Sequence, residues 1–199
     1  MLITHNMKNK KLLLGIAWAW LTCLSANAEV KLPAFFSDGM VMQQQTRANL
    51  WGTATPDAPV KITTSWDKQT YKTTADAKGA WKLALSTPSA GGPYTITFDD
   101  GKLTEIRDIL MGELWLCSGQ SNMEMPMKGF KNQPVENSNT DVMNSRNPQL
   151  RLFTVKRSSS FTPKTDVVGI WQEAVPATVR EFSATAYYFG RMIQQQLNI

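Results

Sequence analysis

The sequence predicts a chain in two structural parts, a β-sandwich followed by the opening of an α/β domain. Three observations lead there. Residues 33 to 108 consist of short segments rich in Val, Ile, Thr, Tyr and Trp, broken at short intervals by turn residues. Residues 109 to 117 are almost continuously apolar, which suits a strand buried on both faces of a parallel sheet. Residues 182 to 197 carry apolar side chains at helical spacing.

In the first part, Ala48–Thr53 is one candidate strand, and Pro59–Trp66 is another, with Val60, Ile62 and Thr64 alternating against Lys61, Thr63 and Ser65. Gln69–Ala75 follows an Asp67-Lys68 turn. Asp76-Ala77-Lys78-Gly79 makes a tight connection into Ala80–Leu85, which sets Trp81, Leu83 and Leu85 on one face. Pro88–Pro93 reads as a loop, Tyr94–Phe98 alternates again, and Asp99-Asp100-Gly101 turns into Lys102–Leu110. Such spacing is that of a sandwich burying one face of each sheet. Trp51, Trp66 and Trp81 could stack on sugars; the reading favoured here is that they fill the core, where aromatics dominate.

In the second part, Met123–Met127 is expected to begin a helix that Pro126 limits. Lys128–Pro148 is expected to be a long polar loop, Gln149–Lys156 a strand, and Phe182–Leu197 an amphipathic helix. A helix of an α/β unit normally leads into another strand, so this part is expected to be an incomplete domain. The boundaries are therefore drawn at 1–28, 29–108 and 109–199.

Residues 1–28 have the pattern of a secretory signal: Lys8, Lys10 and Lys11, then the apolar stretch Leu12–Leu24, then Ala26-Asn27-Ala28. Cleavage after Ala28 is expected, in preference to a lipid anchor on Cys23, and the mature protein is expected to be secreted or periplasmic. The apolar stretch is short for a membrane span. Loss of the three lysines takes the basic count from 21 to 18 against 16 acids. The mature excess is too small to argue for nucleic acid or a membrane surface. Cys117 then remains alone, read as a small buried apolar residue on a strand. With His5 as the sole histidine and one remaining cysteine, neither a metal site nor a cofactor is expected.

The chemistry concentrates where the apolar run ends in Gly119-Gln120-Ser121-Asn122. A serine hydroxyl is a poor nucleophile until a base takes its proton and nearby donors stabilise the oxyanion. A strand-end position would hold Ser121 rigidly, and its backbone N–H could serve an oxyanion. Gly119 would permit a sharp turn, and the amides of Gln120 and Asn122 could hold the loop in shape. This is not the Gly-x-Ser-x-Gly elbow of α/β-hydrolases, because Met123 replaces the second glycine. Asp141 and Asp166 are read as solvated loop carboxylates.

The string Trp115-Leu116-Cys117-Ser118-Gly119-Gln120-Ser121-Asn122-Met123-Glu124-Met125-Pro126 closely resembles the first conserved block of the sialate O-acetylesterases, serine esterases of the SGNH (GDSL-like) superfamily. Leu32–Gln43, Trp51-Gly52, Gly79-Ala80-Trp81 and the stretch from Trp171 through Phe182–Phe189 resemble other parts of that family. The resemblance implies an N-terminal β-domain and the truncated start of an SGNH hydrolase-like, flavodoxin-like three-layer α/β domain. It implies Ser121 as nucleophile and oxyanion donor, an acetyl-enzyme, and an O-acetylated sialic acid or related acetylated glycan as partner. The family's later oxyanion blocks and its Asp-x-x-His pair have no counterpart here, so the chain alone is expected to be inactive. Two alternatives stand beside it: a non-catalytic glycan-binding β-module, and an acetyl esterase acting on other polysaccharides.

Overall fold

The computed structural model describes residues 29–199; the expected signal segment lies outside them. The described chain is mostly β. In order it runs β1 (Val41–Gln43), β2 (Arg47–Thr53), β3 (Pro59–Thr64), β4 (Thr70–Thr74), β5 (Ala80–Ser86), β6 (Gly91–Asp99), β7 (Leu103–Gly112), α1 (Ser121–Glu124), α2 (Ser138–Met143), β8 (Asn147–Phe153), β9 (Trp171–Ala174), α3 (Pro176–Glu181) and α4 (Ala184–Leu197). Five strands form one sheet in the order β1-β7-β6-β3-β4, β2 pairs with β5, and β8 pairs with β9. All these pairs are antiparallel except β1–β7, where Val41 lies opposite Leu110 in parallel.

The period of two sorts the side chains as the sequence leads one to expect. Val60, Ile62 and Thr64 of β3 are buried while Pro59, Lys61 and Thr63 are exposed. Val60 and Ile62 share one core with Leu50, Trp81 and Leu85 from the β2–β5 pair and with Ile96, Phe98, Ile106 and Ile109 from β6 and β7. The turn after Asp76 falls where the sequence puts it, and Gly79 takes φ +82 with its would-be Cβ 2.5 Å from the Ala54 carbonyl, so only glycine fits there, whereas β6 already begins at Gly91 inside the loop expected over Pro88–Pro93.

The tryptophans belong to packing. Trp81 is buried. Trp66 donates through Nε1 to the Ser86 carbonyl at 3.2 Å and meets Tyr94 edge-on. Trp51 donates to the Thr165 carbonyl at 3.1 Å and meets Phe36 edge-on.

The apolar run is the main correction. Residues 109–112 are not the start of a new parallel sheet. They end β7, which runs unbroken through the junction drawn at 108 and pairs with β6 and β1. Residues 113–120 form no strand, and Leu116 is 92% exposed. Cys117, expected to be buried on a strand, is exposed. Apolarity alone does not make a strand: the backbone needs a neighbour to complete its ladder, and none lies beside 113–120 among the described residues. The expected loop 128–148 contains α2, and β1, β9 and α3 are additional short elements.

The β8–β9 pair is joined to the large sheet by a bulge. Opposite Thr95 of β6, β7 inserts an extra residue, so that Tyr94 pairs with Ile109 but Ile96 with Ile106. Asp108 in this bulge takes the left-handed φ of 56. Its carboxylate then accepts two hydrogen bonds from Arg151 of β8, 2.6 Å to Nη1 and 3.1 Å to Nη2. The Arg151 side chain is only 5% exposed and also donates to the carbonyls of Gly39 and Pro148. Beside this clamp, Phe35, Phe153 and Trp171 pack their rings 5.1 to 5.7 Å apart, and Trp171 donates to the Phe35 carbonyl at 2.8 Å.

A second core gathers Met127, Leu152, Ala174, Val179, Ala184 and Tyr187 between β8, β9 and the helices. Asp141 fastens α2 to α4. It accepts from Arg191 at 2.8 Å and from Tyr188 at 2.7 Å, and the Arg191 guanidinium lies over the Tyr188 ring at 4.9 Å. Asp141 is thus engaged rather than simply solvated. The hydrogen bond from Arg191, then that from Tyr188, holds its carboxyl below the usual range. Burial, then the bond to Asp141, pushes the Tyr188 hydroxyl up to about 12.

Both fastenings carry expected outcomes. Arg151→Ala should lower unfolding stability in urea by about 2 to 3 kcal/mol, since it removes several charge-assisted bonds from a buried position. Asp108→Asn, which tolerates the left-handed backbone and keeps one acceptor, should cost less than Asp108→Val, which does not. The Asp141 pair should give a two-sided pH dependence. The depressed carboxyl contributes stability that is fully present above its ordinary value of 3.8 and is lost as pH falls through its lower folded value. The raised Tyr188 contributes stability present below 10 and lost as pH rises toward about 12. Thermal melts across pH should show a shallower acid limb in Asp141→Asn and a shallower alkaline limb in Tyr188→Phe.

Candidate active site

Ser121 is carried on a segment with firm supports at both ends and little between them. The upstream support is Glu113, the first residue after β7. Its carboxylate accepts from Gln44 Nε2 at 2.9 Å and from Gln43 Nε2 at 3.1 Å, and these bonds, Gln44's first, lower its pKa. Gln43 also accepts from the Leu114 amide at 3.0 Å. From there to Gln120 the chain is exposed, braced by Trp115, whose ring meets Phe189 of α4 edge-on at 5.1 Å.

The chain then coils into the single turn of α1, with the amides of Met123 and Glu124 donating to the Gln120 carbonyl at 3.0 and 3.1 Å and the Met125 amide to the Ser121 carbonyl at 3.0 Å. Ser121 is its first residue and is exposed. Gly119 matters for space: a Cβ there would lie 3.1 Å from the Met123 Cβ. Gln120 and Asn122 are exposed, and their side-chain amides make no hydrogen bond among the described residues. Asn122 instead contributes its backbone carbonyl, which accepts from the Thr185 hydroxyl at 3.1 Å.

The downstream support is α4. Ser183 is its N-cap, accepting from the Ala186 amide at 3.3 Å, and its hydroxyl reaches the Met123 sulfur at 3.5 Å. The Ala184 amide donates to the Met125 carbonyl at 2.8 Å, and the Met127 amide to the Phe182 carbonyl at 2.9 Å. The C-terminal end of α1 and the N-terminal end of α4 therefore satisfy one another's orphaned backbone groups. Ser183 has the recognisable signature of a cap before an apolar periodic stretch, but its partner in α1 lies 60 residues away.

An open trough of about 1410 Å³ runs between the 113–120 segment, β8 and α4, lined by Leu114, Trp115, Leu150, Phe189 and Ile193 among others. Gly119, Gln120 and Glu124 edge it, whereas Ser121 is not part of its lining. Glu124 pairs with Arg157 through contacts of 2.8 and 2.9 Å. The Arg157 side chain is 84% exposed, so this pair adds little stability.

The described residues include no histidine that could serve Ser121 as a base. The sole histidine, His5, lies outside the described residues. Asp141 is held by Arg191 and Tyr188, and Asp166 accepts from the Ala34 amide at 2.8 Å. Among the described residues no cluster of three or more His, Cys, Asp or Glu gathers as a metal site, and no helix is long and apolar enough to cross a membrane.

No family model matches the chain. Sialate O-acetylesterases from Pongo abelii and Homo sapiens are each 28% identical to it over 191 residues, which is 87% of this chain and 36% of theirs. The chain thus spans about a third of the length of the curated relatives it matches. The solved structure of a carbohydrate acetylesterase from Xanthomonas citri superposes with a TM-score of 0.79 at 32% identity, over 86% of this chain and 38% of that one. Across most of its length the chain is thus similar to sialate O-acetylesterases and to a carbohydrate acetylesterase, with a β-rich fold and a serine turn braced on a helix.

Proposed function

We propose that this chain is the N-terminal part of a secreted or periplasmic acetylesterase that removes O-acetyl groups from sialic acid or a related glycan, with Ser121 as its nucleophile. The observation that carries the reading is the Ser121 turn: a serine on the first residue of α1, exposed, in the string Gly119-Gln120-Ser121-Asn122-Met123. The names of the relatives, sialate O-acetylesterase and carbohydrate acetylesterase, support the reaction class. The substrate is taken from those names, and the localisation from the signal pattern of residues 1–28.

In this reading the Ser121 hydroxyl oxygen attacks the acetyl carbonyl while a base removes its proton. The sugar oxygen leaves as the hydroxyl after taking up a proton, giving an acetyl-serine. Water then attacks that ester, releasing acetate and restoring the serine. The backbone N–H of Ser121 is available to the oxyanion, and the base must come from outside the described residues. We assign the part drawn at residues 109–199, less residues 109–112 that end β7, to the start of an SGNH-type α/β domain. The open trough and the unpaired segment 113–120 support this, because both are places where further strands would pack. The alternative of a glycan-binding module loses its main support, since Trp51, Trp66 and Trp81 are engaged in packing and hydrogen bonds.

The test is p-nitrophenyl acetate turnover by the protein that the intact reading frame encodes. Ser121→Ala should lower kcat roughly a thousandfold or more; unaltered turnover in that variant would overturn the assignment. The purified 199-residue chain, assayed beside it, should show only background hydrolysis. Acetate release from O-acetylated sialic acid against acetylated xylan then decides the glycan.

A further inference from the structure

The turn that carries Ser121 has a defect written into its sequence, and a side chain 63 residues away repairs it. In a helix the carbonyl of Asn122 would accept from the amide of the residue four places on. That residue is Pro126, which has no N–H. Proline also disfavours helical backbone in the residue before it, and Met125 accordingly leaves the helix with φ −56 and ψ 118. The Asn122 carbonyl, one peptide unit from Ser121, is left without an intrahelical partner. The Thr185 hydroxyl fills the vacancy at 3.1 Å.

The neighbouring bonds show how much depends on this one. The Met125 carbonyl is held by the Ala184 amide at 2.8 Å, and the Met127 amide by the Phe182 carbonyl at 2.9 Å. Both lie on the far side of the turn from Ser121. Upstream, residues 114–120 are exposed and form no strand. Between the upstream support at Glu113 and the downstream one at Met125, the Thr185 hydroxyl is the hydrogen bond from α4 that falls nearest Ser121.

We infer that Thr185 is a positioning residue for Ser121, its hydroxyl supplying the hydrogen bond that Pro126 denies to the Asn122 carbonyl. The inference rests on the reading of Ser121 as nucleophile. Thr185 acts through the backbone of the turn. Its loss should therefore change how often the Ser121 oxygen reaches attack geometry, and leave glycan binding nearly untouched.

The test compares Thr185→Val, which keeps the shape and removes the donor, with Thr185→Ser, which keeps the donor. In the protein from the intact reading frame, Thr185→Val should lower kcat for p-nitrophenyl acetate roughly fivefold to tenfold with KM changed less than about twofold. Thr185→Ser should stay within about twofold of the parent in both. Hydrogen exchange on the 199-residue chain supplies a readout independent of activity. The amides of Met123, Glu124 and Met125 should exchange faster in Thr185→Val while those of β3 and β6 keep their parent rates. Parent kcat together with parent exchange in Thr185→Val overturns the inference. So does an equal loss in Thr185→Ser, because the hydroxyl would then not be the operative group. If Ser121→Ala retains full turnover, the nucleophile reading fails instead, and the inference as a statement about Ser121 falls with it. Loss of turnover in Ser121→Ala with no effect in Thr185→Val leaves the nucleophile reading intact and removes Thr185 alone.

Discussion

The contact on which the arrangement rests is the paired hydrogen bond between Arg151 and Asp108. It joins the large sheet to the β8–β9 pair, and that pair shares the second core with the helices that follow. The bond exists because β7 breaks its own register. An extra residue in the strand turns Asp108 into the left-handed region, at a cost of roughly 1 to 2 kcal/mol. A regular strand would send this carboxylate along the alternating pattern of its neighbours; the bulge aims it at β8. A nearly buried guanidinium would be expensive without partners. Two carboxylate oxygens and the carbonyls of Gly39 and Pro148 satisfy it, which makes the junction specific as well as stable. The Phe35, Phe153 and Trp171 rings add apolar contact beside it.

From that junction outward, order is delivered to the serine turn by α4 rather than by the strand that leads into it. Trp115 against Phe189, the Ser183 cap and the backbone bonds of Ala184 and Met127 all converge on the same short stretch. The Asp141 cluster in turn fixes α4 against α2. A helix end is a stiff object, because its first amides need partners and accept few geometries. Using one as the mount for a short turn explains how an exposed segment can present its serine in a defined place.

The strands of the first part were readable because a one-sided sheet imposes a period of two, and turn residues mark its ends. Gly79 and the Asp67-Lys68 pair did so in their expected places. The run 109–117 was misleading for a physical reason. Hydrophobicity reports a preference for burial, whereas strand formation needs a partner, and its first four residues found theirs in β6 and β1 while the rest found none. Short elements such as β1, β9 and α3 lie below the length at which periodicity speaks. The Ser121 turn was legible as a string of residues. Its mounting was not, because Thr185, Ser183 and Arg151 act on positions 43 to 63 residues distant. Only the missing amide of Pro126 could have announced that a donor was needed.

Gly39 gives the junction a further property. It takes φ +77, and a Cβ there would stand 3.0 Å from Arg151 Nη1, while its carbonyl accepts from that same nitrogen. Positions 39, 108 and 151 therefore form one physically coupled unit. A side chain at 39 displaces the guanidinium, a displaced guanidinium leaves the carboxylate at 108 without its reason to be bulged, and a regular β7 shifts the register of β6 and β7. Over evolutionary time such positions are expected to drift together or not at all, so that a change at any one of them is tolerated only in a background where the other two have already moved.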